Sequence, residues 1–191
     1  MPRKSPLPHQ DEDTRLMLRV QKGSEEAFSR LIRRNQQILM NLFRRLGADV
    51  HDAEDAVQET FLRVFKFRGR YRPDAPFRVF LFTLARHALT DLWRRTQRWR
   101  RHETPGVEVE TAPARTRLDQ NLRMDLNQAL AGLPPGHRMV LVFNLYGGLK
   151  YEEIARVMEI PTGTVKSRVY HALRKLRETM EHEVQGRSER E

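Results

Sequence analysis

Apolar residues recur three and four positions apart along most of this chain and nowhere alternate over a useful length, so the pattern predicts helices and no strands. A short helix is predicted over Thr14–Gln21, closed by Lys22-Gly23, and a long one over Glu25–Leu46 with Ser24 as its cap. Phe28, Leu31, Ile32, Ile38, Leu39, Leu42 and Leu46 are its apolar positions, and Gly47 suits the left-handed turn that ends it. A third helix, Asp52–Phe67, opens on acidic residues that favour its dipole and buries Ala53, Val57, Phe61, Val64 and Phe65. After a loop rich in Gly, Pro and Arg, a fourth helix is predicted over Phe77–Arg95, burying Phe77, Leu81, Leu84, Ala85, Ala88 and Leu92.

Helical spacing then stops. Residues 96–117 start basic, turn acidic and proline-containing, and read as a mobile linker. Periodicity resumes at Leu118, Leu122, Leu126, Ala129 and Leu133, Pro134-Pro135-Gly136 breaks it, and His137–Leu145 forms another apolar helix. The fold class expected is all-α: two small helical domains, 14–95 and 118–178, joined by a flexible linker, between a disordered N-terminus (1–13) and a frayed tail (179–191).

The segment 151–176 predicts a helix-turn-helix. Ile154, Ala155 and Met158 give the first helix one apolar face, with Glu152 and Glu153 in its first turn. Glu159-Ile160-Pro161 ends it, because proline cannot continue a helix. Thr162 is the expected cap of the next helix, which turns Val165, Val169, Ala172, Leu173 and Leu176 inward. Ser167, Tyr170, His171 and Arg174 point away, with Lys166, Arg168, Lys175 and Arg177 on the same helix and no acidic residue between Thr162 and Arg177. A basic helix packed by one stripe on a short acidic one is the arrangement that enters a DNA major groove. A helical hairpin with a solvated basic face has the same pattern.

Charge narrows the partners. The 191 residues carry 35 Lys and Arg against 25 Asp and Glu, a net charge of +10, so an acidic polymer is expected, nucleic acid before an anionic membrane. There are no cysteines, which excludes disulfides and thiolate metal sites and fits a reducing cytoplasm. No apolar run suggests a signal peptide or a membrane span.

The stretch GLKYEEIARVMEIPTGTVKSRVYHALRKLR resembles the DNA-binding segment of bacterial sigma-70-type sigma factors of the extracytoplasmic-function (ECF) subgroup. The resemblance extends to the first half. On the third helix Asp55, Gln58, Glu59 and Leu62 form an outward ridge suited to docking a partner helix. The segment DAEDAVQETFLRVFK is similar to the part of these factors that binds a coiled coil on the largest polymerase subunit, which implies that the four ridge residues make that contact. The fourth helix presents Phe80, Thr83, Arg86, His87, Thr90 and Arg94, groups able to stack on unpaired bases and hold phosphates. It resembles the family's helix for capturing the non-template strand of the −10 element, with residues 67–76 as the pocket for a flipped base. Two positions depart from the family: Phe80 stands where tryptophan is usual, and His87 where asparagine is usual. Beyond them, Arg94, Arg95, Arg98, Arg100 and Arg101 with Trp93 and Trp99 extend a basic, aromatic surface.

The function expected is a sigma factor that binds core RNA polymerase and directs promoter recognition, −10 melting and initiation. Thr164, Lys166, Ser167, Arg168, Tyr170, His171, Arg174 and Lys175 are assigned to the −35 element. Lys166 and His171 replace the arginine often found there. The resemblance also implies an anti-sigma partner. The alternative is a stand-alone helix-turn-helix repressor or activator; no dimer element is visible for it. An enzyme is the weakest reading: no nucleophile–base pair, phosphate loop or metal spacing stands out, no cofactor or metal is expected, and His87 has no partner at ligand spacing.

Overall fold

The computed structural model describes residues 12–102 and 129–188. The described elements are α1 (Glu12–Gln21), α2 (Glu25–Arg45), α3 (Val50–Lys66), a 3-10 turn at Arg68–Arg70, α4 (Phe77–His102), α5 (Pro135–Leu145), α6 (Tyr151–Met158) and α7 (Thr162–Ser188). No strand occurs among the described residues, so the all-α expectation holds. Residues 1–11, most of the linker (103–117) and the helix expected from Leu118 as far as 128 lie outside them. So do the side chains of 95–102, including Trp99 and its neighbouring arginines.

Local chemistry explains most of the boundaries. The Ser24 hydroxyl accepts from Ala27 N at 3.3 Å and starts α2. Gly47 follows α2 with a φ of +100°. α3 begins at Val50 rather than Asp52 because Asp49 caps it, its carboxylate accepting from Asp52 N at 2.8 Å. α4 runs on to His102, past the predicted end at Arg95, and α7 continues to Ser188 where a frayed tail was expected from 179. Neither extension meets a proline or glycine cluster that would stop it. Pro135 opens α5 at its first turn, where its missing N–H costs nothing. Thr162 is already helical, and Val165 N bonds to Pro161 O at 3.2 Å, so the expected Thr162 cap is not made. Glu159 closes α6 in the left-handed region, at φ 56°.

In the first half α1–α4 pack around Leu16, Met17, Leu31, Leu39, Phe43, Phe77, Leu81 and Leu89. In the second, α5–α7 bury Val140, Leu141, Phe143, Ile154, Val157, Val165 and Ala172. Several positions depart from the expected stripes, Ile38 among them at 43% exposed. Phe65 is 45% exposed, lying over Phe28 with ring centroids 5.3 Å apart and under the Arg68 guanidinium at 4.2 Å. Leu173 is 47% exposed, since Val169, Ala172 and Leu176 already fill the seam of α7. On α6 it is Ile154 and Val157 that are fully buried, while Ala155 and Met158 are half-buried.

The two halves share one continuous apolar core. Phe82 of α4, 2% exposed, meets Phe143 of α5 edge-on at 5.5 Å. A Cβ on Gly147 would stand 2.8 Å from the Phe82 ring and 2.6 Å from Phe143 O, so only glycine permits this approach. Arginines stitch the rim. Arg138 Nε donates to Arg45 O at 2.8 Å, and the Arg45 guanidinium lies 3.9 Å from the Tyr146 ring centroid. Arg78 Nη1 donates to Gly148 O at 3.1 Å.

Candidate polymerase and nucleic-acid interfaces

The ridge of α3 is built as expected, with one qualification. Asp55 and Gln58 are exposed, and Leu62 is 65% exposed, the most open of the large apolar side chains described. Glu59 is half-buried and engaged: its Oε1 accepts from Arg63 Nε at 2.7 Å, while Arg63 Nη2 donates to Asp91 Oδ2 of α4 at 2.8 Å. Arg63 therefore ties the ridge to the neighbouring helix. Burial disfavours its charge, but the bonds to Glu59 and Asp91 more than offset this and raise its pKa. Periodicity alone could not single out Arg63, which reads there as another exposed cation.

The outward face of α4 is only partly open. Phe80 is half-buried in an aromatic group, 5.3 Å from Tyr71 and 6.4 Å from Phe77, so its ring is not free on both faces. Tyr71 itself is buried and comes from the loop expected to hold a flipped base. The hydroxyls of Thr83 and Thr90 donate back to Val79 O and Arg86 O at 2.7 and 2.8 Å, leaving their oxygens as acceptors. Arg94 is exposed near Asp91.

Arg86 and His87 meet the second half of the chain. Arg86 Nη2 donates to Glu159 Oε1 at 2.6 Å and lies 2.8 Å from His87 Nε2. Burial, and next the Arg86 charge, hold His87 below its ordinary pKa, with Glu159 opposing them. A neutral ring at neutral pH fits the contact, its Nε2 accepting from Arg86. The 3.9 Å approach of His87 to Glu159 becomes an ion pair only on protonation. A cleft of about 770 Å³ joins the pieces, lined by Leu62, Arg63 and Phe67 on one side and Arg86, Thr90 and Glu159 on the other. The ridge and the α4 face are thus walls of one cleft. Glu159 was read in the sequence only as part of a helix stop.

On α7, Lys166, Ser167, Tyr170, His171, Arg174 and Lys175 are exposed, and Thr164 and Arg168 half-buried, all on the side turned from the core. Arg174 pairs loosely with Glu178 at 3.5 Å. The turn before α7 has the tightness a helix-turn-helix needs, Ile160 N bonding to Ala155 O at 3.1 Å. Glu153 Oε2 accepts from Lys150 N at 2.8 Å and anchors the start of α6.

A helical half with an outward ridge on α3, followed by a helix-turn-helix half with a basic exposed face, is the arrangement of a two-part DNA-binding protein. Residues 31–100 match the family model for sigma-70 region 2, and residues 123–176 the model for sigma-70 region 4. The RNA polymerase sigma-H factor of Pseudomonas aeruginosa is 30% identical over 177 residues, covering 85% of this chain and 91% of the relative. The ECF RNA polymerase sigma-E factor of Escherichia coli is 30% identical over 185 residues, covering 91% and 94%. Among solved structures, CnrH in complex with the cytosolic domain of CnrY superposes with a TM-score of 0.72 at 25% identity, covering 90% of this chain and 99% of that one. RpoE of Bartonella quintana, bound to the anti-sigma factor NepR, shares the fold with a TM-score of 0.66 at 23% identity, covering 81% and 96%. The chain belongs to the sigma-70 family of RNA polymerase sigma factors, in its ECF subgroup. The stand-alone repressor or activator is thereby set aside.

Proposed function

We propose that this sigma factor divides its work between two faces. Residues 14–95 dock on core RNA polymerase through Asp55, Gln58, Glu59 and Leu62 and hold the melted −10 strand with Phe80, Thr83, Arg86, His87, Thr90 and Arg94. Residues 118–178 read the −35 element through Thr164 and its neighbours on α7, with Lys166, Ser167, Tyr170 and His171 near base edges and Arg168, Arg174 and Lys175 positioning the phosphates. Residues 96–117 tether the two. The factor acts by binding in the cytoplasm and has no reaction of its own; no described helix is long and apolar enough to cross a membrane. An anti-sigma protein is the natural regulator, by analogy with the partner bound to RpoE of Bartonella quintana.

The observation that carries the first assignment is Leu62, open to solvent in a row with Asp55 and Gln58 although burying it would be worth about 2 kcal/mol. A partner that covers this row recovers that energy. Co-purification with core RNA polymerase tests it: wild type should bind in equal proportion, and the Gln58→Ala/Leu62→Ala pair should bind at least tenfold more weakly. Equal retention of both would remove α3 from the interface.

A further inference from the structure

The N-terminal turn of α5 and the recognition helix α7 bring together four groups, of which His137 belongs to no assignment above. The His137 and His171 ring centroids are 6.4 Å apart. Arg168 reaches across to α5 so closely that a Cβ on Gly136 would stand 3.0 Å from its Nη1. Lys175 lies near enough to act on His137 electrostatically, as Arg168 and His171 do. Among the described residues no carboxylate pairs with any of the four. Two fixed cations beside two imidazoles, with no carboxylate paired to them, give this corner a positive potential that draws an anion.

We propose that His137, Arg168 and Lys175, bordered by His171, form one binding site for a backbone phosphate of duplex DNA, through which α5 adds a contact outside the recognition helix. The inference rests on the −35 reading of α7. DNA is favoured over an acidic protein because His171 and Lys175 continue the open face formed by Lys166, Tyr170 and Arg174, so an anion seated here lies beside a groove-bound helix. A phosphate contact from a neighbouring element would fix the angle at which α7 enters the groove without reading sequence.

Burial, then the charges of Arg168, His171 and Lys175, lower the pKa of His137 in the free protein. A bound phosphate stabilises the imidazolium and raises it. Binding therefore takes up a proton, and affinity falls as pH rises through the interval between the free and bound values.

The test uses the full chain and a fluorescein-labelled duplex of mixed sequence, with anisotropy followed against salt at pH 6 and pH 8. His137→Asn should weaken binding roughly threefold to tenfold at pH 6. It should lower the slope of log affinity against log salt by up to about one, and flatten the pH dependence. Circular dichroism confirms that the variant is folded. Affinity, slope and pH profile all matching wild type would overturn the site, and so would polyglutamate competing as well as DNA at equal charge. Lys166→Ala/Arg174→Ala separates the two ideas. If it abolishes binding while His137→Asn is silent, only the phosphate site fails; if it leaves binding intact, the −35 reading fails and takes the site with it.

Discussion

The carboxylate of Glu159, in the turn of the helix-turn-helix, lies 2.6 Å from the guanidinium of Arg86 on the helix assigned to the −10 strand. The pair joins the turn between α6 and α7 to α4, so the two halves are held by an ion pair in addition to the Phe82–Phe143 contact of their shared core.

The Arg86–Glu159 pair is a weak latch. Glu159 is 67% exposed, so water screens the pair. Arg86 Nε is buried without a partner among the described residues, which offsets part of the gain. Glu159→Lys places two cations together and should open the chain severalfold. The absence of native cysteines allows a dye pair at Glu54→Cys and Glu152→Cys, both at exposed positions. Energy transfer should drop in the Glu159→Lys background and recover in Arg86→Glu/Glu159→Lys. Unchanged transfer would show that Glu159 does not hold the halves.

Gly147 offers an independent way to open the same contact. Any side chain there meets Phe143 O and the Phe82 ring at distances no real Cβ shows. Phe143 O is backbone and cannot move aside cheaply, so Gly147→Ala should force Phe82 from its seat. The dye pair should then report opening, and thermal unfolding should lose its single transition as the shared core divides. A fully closed, singly cooperative Gly147→Ala chain would contradict the packing described.

Helix existence, the two modules and the cations of α7 were legible because they rest on periodicity, capping and charge, all local in sequence. Residues made important by distant partners were not. Phe82 is a core residue only because α5 arrives from 61 positions away in the chain, at Phe143. Arg63, Glu159 and His137 read as ordinary polar positions, since nothing in their neighbourhoods names Asp91, Arg86 or His171. Phe65 and Leu173 went the other way. They fit an apolar stripe by spacing, but the seam was already full.

Among the described residues, His87 and His137 are the histidines held below their ordinary pKa, and both contribute to the response to acid. A histidine held below its unfolded value favours the neutral form in the folded state, so its contribution is complete above about pH 6.5 and is lost as pH falls below that. His87 is lowered by burial and then by Arg86, and His137 by burial and then by Arg168. The melting temperature should therefore fall between pH 7.5 and pH 5.5. His87→Asn, which introduces the residue usual in the family, should blunt that fall, and His87→Asn/His137→Asn should remove most of it. A slope unaffected by either substitution would place the acid response elsewhere.

Thr14 carries the start of α4, although it sits on α1. It is fully buried, and its hydroxyl oxygen accepts from Phe77 N and from the Tyr71 hydroxyl, each at 3.2 Å. α4 begins after Pro76, so no side chain immediately before it serves as a cap, and Thr14 satisfies one of its first N–H groups from another helix. Thr14→Val keeps the shape and removes the acceptor of the buried Phe77 N–H, while the Tyr71 hydroxyl keeps its bond to Ala75 O at 3.4 Å. The expected loss is about 1 to 3 kcal/mol in denaturant unfolding. Hydrogen exchange should speed up first at the N-terminal turn of α4, beside the loop at Tyr71, while α7 stays protected as in wild type. Thr14→Ser retains the oxygen and should restore most of the protection. If Thr14→Val and Thr14→Ser lose the same stability, the methyl packing of Thr14 matters and its oxygen does not.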